Sequence, residues 1–390
     1  MLVGVVGKPN TGKSTFFAAA TLIDVPIAPY PFTTIQPNKG VTYVRAKCPH
    51  VELSLPKCDP NNSRCEGGVR LIPMNLIDVA GLVPDAHLGK GMGNQFMDDL
   101  RTADCLIQIV DASGKTDADG RQTDFYDPGN EIKFLEDEIA WWLAGIIKRS
   151  WAKVKGGNLE SVAGLLSGLK ITQQQIAQAA AEALVSAEGI NWSDEGLLNF
   201  CHAIQRLSKP IIIAANKIDF PGAEKHLAKM KADFPGKLII PCSAESELTL
   251  RRAGEKGLIR YIPGDPDFQI TGEPNERQRA ALEFIREHIL QKYGSTGVQE
   301  LINSAVFDLL KLIAVYPVED ENKFANHFGK VLPDAFLVPK GATALQMAEK
   351  IHTDLAKHFL YAVDARRKMR IGKEHMLNDG DVVKIVSSAR

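Results

Sequence analysis

The sequence predicts an α/β fold built on a mainly parallel sheet, with a helical insertion and a small α+β domain of β-grasp type at the end. Short apolar strands alternate with helical stretches through the first third of the chain and again around residues 210–245. This alternation is typical of a parallel sheet with crossover helices. Residues 311–390 contain strands, one helix and a closing strand. That order of elements indicates a separate β-grasp-like domain.

The strands of the large sheet are predicted from short apolar runs that are bounded by turn or loop residues. They are Leu2–Val6, Val41–Arg45, Leu71–Ile77, Cys105–Val110, Pro210–Ala215 and Leu238–Pro241.

Residues 112–208 interrupt this alternation and are predicted to be a helical insertion. The opening stretch, Thr116–Gly129, is polar and is predicted to be a loop. Apolar side chains then recur at helical spacing from Ile132 to Ile146, which predicts an amphipathic helix with one buried face. Three more helices are predicted in the insertion: Asn158–Lys170, Thr172–Ser186 and Asp194–Leu207.

Two helices are predicted after the sheet, and the separate final domain follows them. The helices are Asn275–Tyr293 and Val298–Leu310. The final domain is predicted to contain a helix that Thr343 caps and that ends near Phe359. Its strands are predicted at Leu312–Pro317, Asp334–Val338 and Val382–Val386. The predicted domains are therefore 1–111 together with 209–275, the insertion 112–208, connecting helices 276–310, and 311–390.

Composition excludes several classes of protein. A formal net charge of −1 at pH 7 gives no overall attraction to nucleic acid or a membrane, so such binding would depend on local patches. No apolar run reaches the roughly 20 residues that a membrane-spanning helix needs. The first strand begins at residue 2, which leaves no room for a signal peptide. We therefore expect a cytoplasmic protein with no membrane partner, and no DNA partner is expected.

The segment after the first strand reads Gly7-Lys8-Pro9-Asn10-Thr11-Gly12-Lys13-Ser14, and a predicted helix continues from Thr15. A GxxxxGKS pattern between a strand and a helix indicates a phosphate-binding loop, in which backbone N–H groups and the helix end surround an anion. Lys13 is expected to contact the β- and γ-phosphates, and the Ser14 hydroxyl is expected to ligate Mg²⁺. The sequence thus predicts that residues 7–15 bind a nucleotide.

Further positions are predicted to complete the phosphate and Mg²⁺ site. Asp78 begins an Asp-Val-Ala-Gly segment at the end of a predicted strand. Its carboxylate can hold Mg²⁺ through water, and the Gly81 amide can bond the γ-phosphate. Between the first two strands, either Thr33 or Thr34 could complete the Mg²⁺ coordination while the γ-phosphate is present, and we favour Thr34. Such a loop would act as a switch.

The segment Asn-Lys-Ile-Asp at residues 216–219 follows a very apolar strand and predicts guanine recognition. Asp219 can accept both the N1–H and N2–H₂ donors of guanine. Adenine lacks that donor pair and would leave the carboxylate without hydrogen-bond donors. Asn216 is expected to bond the base and brace the loop, while the Lys217 stem covers the ring. Ser243 and Ala244 follow another strand, where the Ala244 amide can bond guanine O6.

The order of these motifs resembles the Obg family of translation-factor-class GTPases. The most specific segments are Tyr-Pro-Phe-Thr-Thr at residues 30–34, Asp-Val-Ala-Gly-Leu-Val at 78–83 and a glycine-rich run at 89–96. The resemblance covers essentially the whole chain. It is closest to the YchF-like branch, which carries a helical insertion before the base-recognition strand and a C-terminal TGS domain. The resemblance therefore implies a P-loop NTPase G domain followed by a β-grasp-like TGS domain.

The resemblance also implies slow GTP hydrolysis. Ras-like enzymes place a water-orienting glutamine after this Asp-x-x-Gly motif, whereas this chain has Leu82, as Obg-like proteins do. Lys13, Thr34 and Gly81 are expected to contribute catalysis through positioning and charge neutralisation. Asn10 matches the position that ligates K⁺ in potassium-activated GTPases, although it could equally brace the loop.

The resemblance leaves the nucleotide preference and the partners open. Many members of the YchF-like branch have lost the lysine and aspartate that specify guanine and prefer ATP, whereas this chain keeps both. TGS domains generally accompany ribosome- or RNA-linked enzymes. Basic clusters at residues 148–155 and 366–373 could contact RNA phosphates, or could be cations at a helix end and a hairpin turn. The leading hypothesis is a slow GTPase switch on ribosomes. The alternatives are an RNA-binding scaffold with a structural nucleotide and an ATP-preferring regulator.

Cys48, Cys58 and Cys65 fall within one predicted loop, with His50 beside them. Cysteine and histidine are the usual ligands of structural zinc. The segment has no CxxC pair and its cysteine spacings are loose. Free thiols around a β-hairpin extension are therefore the favoured interpretation, and a zinc site is the alternative.

Overall fold

The computed structural model describes residues 1–21, 39–79 and 93–388, without the side chains of residues 93–95, 97 and 98. In these ranges the chain forms two compact units. The first contains residues 1–21, 39–40, 75–79 and 93–301, and the second contains residues 41–74 and 302–388.

The strands of the described ranges are, in chain order, β1 (Leu2–Val6), β2 (Lys39–Lys47), β3 (Arg64–Glu66), β4 (Val69–Asp78), β5 (Cys105–Asp111), β6 (Ile211–Asn216), β7 (Ile239–Pro241), β8 (Ile259–Arg260), β9 (Gln269–Ile270), β10 (Leu312–Val318), β11 (Phe336–Pro339), β12 (Phe359–Asp364), β13 (Met369–Ile371) and β14 (Val382–Ser387).

The α-helices of the same ranges are α1 (Lys13–Thr21), α2 (Pro49–Glu52), α3 (Gly93–Thr102), α4 (Gly129–Arg149), α5 (Trp151–Val154), α6 (Leu159–Leu166), α7 (Gln173–Glu182), α8 (Asp194–Ser208), α9 (Ala223–Asp233), α10 (Ala244–Glu255), α11 (Glu276–Ile285), α12 (Gln291–Tyr293), α13 (Val298–Ser304), α14 (Ala344–Ile351) and α15 (Thr353–Lys357). Ser167–Leu169 is a 3₁₀ turn, and Arg286–Leu290 and Ala305–Leu309 are π-helical turns. None of the helices in the described ranges has the length and apolar character of a membrane span.

A parallel sheet forms the centre of the first unit. Its strands are ordered β4-β1-β5-β6-β7, and each neighbouring pair runs parallel. Every residue of β5 and β6 is buried. Burial on both faces explains why these strands are almost uninterrupted apolar runs. Because all five strands point the same way, the residues that follow β1, β4, β5, β6 and β7 meet at one edge of the sheet.

Helices α4 to α8 form the segment between β5 and β6. Helix α4 buries Ile132, Leu135 and Ile139, as its periodicity predicts, and packs against α8. Local side-chain caps fix the helix starts. Thr172 forms a capping box with Gln175 at α7, and Asn158 and Ser193 cap α6 and α8. The buried faces of these helices join the core of the sheet.

The second unit contains a five-stranded sheet ordered β11-β10-β14-β12-β13. Strands β10 and β14 run parallel, and the other neighbouring pairs run antiparallel. Helix α14 buries Ala344 and Met347 in a core with Val315 and Val383 of the sheet. This is the predicted β-grasp arrangement. The same unit contains most of β2 and the first part of β4, and β3 pairs with β4 as an antiparallel hairpin.

Several predicted elements have different bounds in the structure. The helix predicted from Thr343 to Phe359 is interrupted at His352, whose backbone is extended, and Phe359 instead begins strand β12. Strands β12, β13 and β3 and the short helix α2 were not predicted. Short polar strands such as Arg64–Glu66 carry no apolar pattern, because they are defined by pairing with a neighbour and not by their own sequence.

The compact units also differ from the predicted domains. Residues 41–74 were assigned to the GTPase domain, yet they cluster with residues 302–388. Hydrogen bonds within the second unit account for this. The Asp59 amide donates to the Val331 carbonyl at 2.8 Å, and the Asn62 side chain bonds the backbone of Ala335 in both directions.

Candidate nucleotide-binding site

The loop between β1 and α1 has the backbone of a phosphate-binding loop. Gly12 has a φ of +91°, and a Cβ at this position would lie 2.3 Å from the side-chain nitrogen of Asn216. A Cβ at Gly7 would lie 2.7 Å from the Ile109 carbonyl oxygen. Close approach of neighbouring groups therefore requires glycine at both positions, and the positive φ requires it at Gly12 as well. Lys13, Ser14 and Thr15 form the first turn of α1, where backbone N–H groups lack intrahelical partners.

Asn216, the last residue of β6, braces this loop. Its side-chain amide nitrogen donates to the Thr11 carbonyl at 2.8 Å, and its side-chain oxygen accepts the Ala244 N–H at 3.0 Å. The side chain is buried. One amide thus joins the loop after β1, the end of β6 and the start of α10. The predicted bracing is seen directly, whereas the contacts of Asn216 and Ala244 with a base remain predictions.

Lys217 ties the same loop to the end of β5. Its Nζ donates to the Asn10 carbonyl and pairs with the Asp111 carboxylate, both at 2.7 Å. Asp111 also accepts hydrogen bonds from Ser113 and Thr116. Burial acts to raise the pKa of Asp111, but the bonds from Lys217, Ser113 and Thr116 outweigh it and lower the pKa below its usual value. Asp111 is therefore a charged anchor for Lys217.

The structure brings Lys13 and Asp78 together as an ion pair. Lys13 is the first residue of α1, and Asp78 is the last residue of β4. These are the residues predicted to contact phosphate and to hold Mg²⁺ through water. Their adjacency and the nearby start of α1 fit a site for a magnesium-bound phosphate. Thr33, Thr34, Gly81 and Leu82 lie outside the described residues.

Asp219 and Ser243 occupy the side of the site predicted to hold the base. Asp219 is half-buried, and within the described ranges its carboxylate accepts no hydrogen bond and forms no ion pair. Ser243 caps α10 and donates to the Ser246 hydroxyl at 2.8 Å. Ser243 therefore has a helix-capping role in addition to the predicted nucleotide contact.

A buried ion pair behind the phosphate-binding loop was not predicted. Lys8 Nζ lies 2.7 Å from Glu131 Oε1, donates to the Thr116 carbonyl at 2.7 Å and sits 4.1 Å from the ring centroid of Tyr126. Lys8 and Glu131 are each 6% exposed. Burial raises the pKa of Glu131 and Lys8 opposes that change. The partner of Glu131 could not be identified without the fold, because Lys8 is distant in the sequence.

The polar loop before α4 also packs on the phosphate-binding loop. Asn10 Nδ2 donates to the Gly120 carbonyl at 2.9 Å, and a Cβ at Gly120 would lie 2.6 Å from the Pro9 carbonyl oxygen. The bracing role considered for Asn10 is therefore present. The Asn10 side-chain oxygen accepts no hydrogen bond from the described residues, so a role as a K⁺ ligand remains compatible with this geometry.

The two basic clusters are partly neutralised within the protein. Arg366 pairs with Glu52 at 2.8 Å, Arg370 lies over the Tyr361 ring at 3.8 Å, and Lys368 donates to the Glu321 carbonyl. In the other cluster, Lys148 pairs with Asp194 at 2.8 Å. These contacts favour the interpretation as hairpin and helix-end cations, and RNA binding remains a prediction.

Models of three known families match the chain. The model described as 50S ribosome-binding GTPase matches residues 2–136. The model described as Obg-like GTPase YGR210-like, G4 motif-containing domain, matches residues 214–320, and that of the TGS domain matches residues 329–387. Asn216 and Asp219 thus fall in the G4 match, and strands β12 to β14 fall in the TGS match.

Two relatives match the chain along nearly its whole length. The ribosome-binding ATPase YchF of Escherichia coli O157:H7 is 26% identical over 425 residues and 97% of each chain is covered. A GTP-binding protein of Methanocaldococcus jannaschii is 49% identical over 395 residues, with 100% of both chains covered. The chain belongs to the YchF-like branch of the Obg family. This YchF-like chain also carries the TGS domain expected from its sequence.

Two solved structures are similar to the chain over nearly its whole length. A GTP-binding protein from Pyrococcus horikoshii OT3 is 41% identical to the YchF-like chain, with a TM-score of 0.78, and the match covers 99% of this chain and 100% of that one. The YchF GTPase of Schizosaccharomyces pombe has a TM-score of 0.57 at 21% identity, covering 99% and 97% of the two chains. The second likeness supports the fold alone.

Proposed function

We propose that this chain binds GTP and GDP with Mg²⁺ and hydrolyses GTP slowly, as a switch that acts on the ribosome. The observation that carries the proposal is the coupling of the guanine-recognition segment to the phosphate-binding loop. Asn216 and Lys217 each bond a carbonyl of that loop, while Asp219 in the same segment keeps its carboxylate unpaired among the described residues. A base that engages Asp219 would thereby be held at a fixed distance from the phosphates.

GTP hydrolysis would depend on the positive groups placed around the phosphates. Bound Mg²⁺ would neutralise phosphate charge, and Ser14, Asp78 and Thr34 are the residues proposed to hold it. Lys13 would stabilise the phosphate oxygens, and the Gly81 amide would bond the γ-phosphate. The Thr34 carbonyl would orient the attacking water. Leu82 cannot orient water, which supports slow turnover. K⁺ bound by the Asn10 side-chain oxygen would add positive charge, and a turnover rate that is equal in KCl and NaCl would contradict that role.

Calorimetry on nucleotide-stripped protein tests the binding proposal. We expect GDP and GTP to bind with Mg²⁺ far more tightly than ATP. Multiple-turnover phosphate release should occur with GTP and be lost in Lys13→Ala, but be kept in Lys231→Ala, which removes an exposed lysine of α9. Absence of guanine-nucleotide binding would overturn the proposal. Binding without turnover would favour a scaffold with a structural nucleotide.

An ATP-preferring regulator is the second candidate function. Relatives at 26% identity are named ribosome-binding ATPases, whereas the relative at 49% identity is named a GTP-binding protein. The intact Asn216, Lys217 and Asp219 support GTP. Direct competition of ATP against GTP decides between the two.

Ribosome association is supported by names alone. A matching family model is described as a ribosome-binding GTPase, and several relatives are named for ribosome binding. We expect the chain to co-sediment with ribosomal subunits more strongly with a non-hydrolysable GTP analogue than with GDP. Equal sedimentation in both states would contradict a switch.

A further inference from the structure

Three cysteines and one histidine of the second unit converge outside the nucleotide site. The Sγ atoms of Cys48, Cys58 and Cys65 and a ring nitrogen of His50 all lie within 4.8 Å of one another. Cys48 Sγ is 3.7 Å from Cys58 Sγ, and Cys65 Sγ is 3.7 Å from His50 Nδ1. A tetrahedral zinc ion with Zn–S bonds of about 2.3 Å separates its sulfur ligands by about 3.8 Å. The Cys48–Cys58 and Cys65–His50 pairs are therefore already at the spacing of zinc ligands, and no two of the four ligand atoms lie more than 4.8 Å apart.

Local backbone structure creates this convergence although the spacing in the sequence is irregular. Cys48 immediately precedes α2, His50 lies within α2, and Cys65 lies on β3. The tight turn between β3 and β4 uses two glycines of positive φ, and the second of them, Gly68, accepts the Cys48 N–H at 2.9 Å. This bond brings the start of α2 to the hairpin, so that Cys65 meets Cys48 and His50. Cys58 reaches them from the intervening loop.

A buried arginine beside the cluster provides an independent observation. Arg70 is fully buried, and its Nη1 lies 3.5 Å from Cys58 Sγ. Its Nη2 donates to the Leu332 carbonyl, and no carboxylate of the described residues forms an ion pair with it. The Asp334 carboxylate interacts with Arg70 at longer range without forming an ion pair, and a buried cation without a paired counter-charge is costly. Zinc with three thiolates and one neutral histidine carries a net charge of −1, which would balance the guanidinium.

We propose that Cys48, His50, Cys58 and Cys65 bind one zinc ion. Four protein ligands leave no open coordination position, so the ion is structural and not catalytic. Arg70 then acts as an outer partner that donates to a ligating sulfur, as outer groups of metal sites commonly do.

The zinc ion would fix the loop between α2 and β3, and this loop bonds a distant part of the same unit. Within this loop, the Asp59 amide donates to the Val331 carbonyl at 2.8 Å and the Asn61 amide donates to the Pro333 carbonyl at 2.6 Å. Cys58 directly precedes these residues. Loss of zinc is therefore expected to release both amides to hydrogen exchange, because structural zinc sites contribute directly to folding.

Metal analysis of the untagged full chain, purified under reducing conditions, tests the proposal. We expect one zinc per chain by elemental analysis and by native mass spectrometry. Exchange for Co²⁺ should give the intense visible absorption of tetrahedral cobalt and a thiolate-to-cobalt charge-transfer band. Cys65→Ser and His50→Ala should lose the metal. His50→Cys should keep it, because four thiolates also bind zinc.

Cys201→Ser is the matched control, since Cys201 is a buried cysteine of α8 outside the cluster, and it should keep one zinc per chain. Wild-type protein that is folded and reduced, yet holds no stoichiometric metal and gives no cobalt spectrum, would overturn the proposal. So would a mass that shows a Cys48–Cys58 disulfide in protein purified with zinc. These readouts use the wild-type chain, so they hold even if a ligand variant does not fold. Guanine-nucleotide binding is measured separately and is not affected by this outcome.

Discussion

At the residue scale, Asn216 and Asp219 of the Asn-Lys-Ile-Asp segment make different kinds of contact. Both ends of the Asn216 amide bond protein backbone, at Thr11 and Ala244. The Asp219 carboxylate bonds none of the described residues. Asn216 therefore shapes the site irrespective of the base, and we propose that Asp219 discriminates between bases.

Asp219→Asn should change base preference without changing the fold. An amide offers a donor where guanine also has a donor, so GDP affinity should fall on the order of 10³-fold or more, and xanthine nucleotides should bind better. Calorimetry with GDP and XDP measures both changes. Asp233→Asn, on the exposed end of α9, is the control and should leave both affinities unchanged. Unaltered GDP affinity in Asp219→Asn would refute the assigned contact.

The Lys8–Glu131 pair is the second feature at this scale. Because both groups are buried, Glu131→Ala would leave an unpaired cation and should reduce the free energy of unfolding by about 3–5 kcal/mol. The double variant Lys8→Met/Glu131→Leu should recover much of that loss, since it removes both charges. Urea unfolding of Lys8→Met, Glu131→Leu and the double variant, each against the unchanged chain, gives the coupling. Additive losses would mean that the pair does not interact energetically.

At the scale of elements, the loop before α4 packs on the phosphate-binding loop. It was predicted only as a polar connection, yet it contacts the phosphate-binding loop through Thr116 and Gly120. Helix α4, which follows it, supplies Glu131 to Lys8. The insertion therefore packs against the phosphate-binding loop and supports its conformation.

Gly120→Ala tests this support. The residue has a φ of +79°, and the added Cβ would meet the Pro9 carbonyl at 2.6 Å. Gly189→Ala is the matched control, because Gly189 also has positive φ, at +61°, but has nothing within 4 Å. The control should cost about 1–2 kcal/mol of stability from backbone strain alone. Gly120→Ala should cost more and also weaken GDP binding, and calorimetry showing equal GDP affinity in the two variants would argue against the support.

At the scale of the whole molecule, the second unit is assembled from two distant parts of the chain. Residues 41–74 bond residues 331–335 through Asp59, Asn61, Asn62 and Arg70. The TGS match begins only at residue 329. The C-terminal region therefore packs together with residues 41–74 as one unit.

Deleting residues 311–390 should expose this dependence. The Asp59 and Asn61 amides would lose their acceptors, and Arg70 would lose the Leu332 carbonyl. We expect loss of hydrogen-exchange protection at residues 57–63 and a lower Tm for the truncated chain. Asn62→Ala in the full chain is the milder comparison, because it removes only the bonds with Ala335. Unchanged protection in the truncated chain would show that residues 41–74 fold without their distant partners.

The sequence by itself determined the features that are local in the chain. The phosphate-binding loop, the Asn-Lys-x-Asp segment, the buried strands and the helix caps depend on residue type and spacing within a few positions, because backbone conformation and neighbouring hydrogen bonds fix them. The sequence did not predict the interruption of the helix at His352 or the short strands, because tertiary pairing outweighs local conformational preference at these positions.

Only the tertiary structure decided which distant residues became partners. Lys8 with Glu131, Asn10 with Gly120, and Arg70 with Cys58 are each separated by many residues and joined by packing. The cysteine and histidine cluster is the clearest case, because an irregular spacing in the sequence became a set of ligand atoms within 4.8 Å. Burial of one charged or polar group requires a specific partner nearby, and the fold as a whole determines which group is near enough to serve.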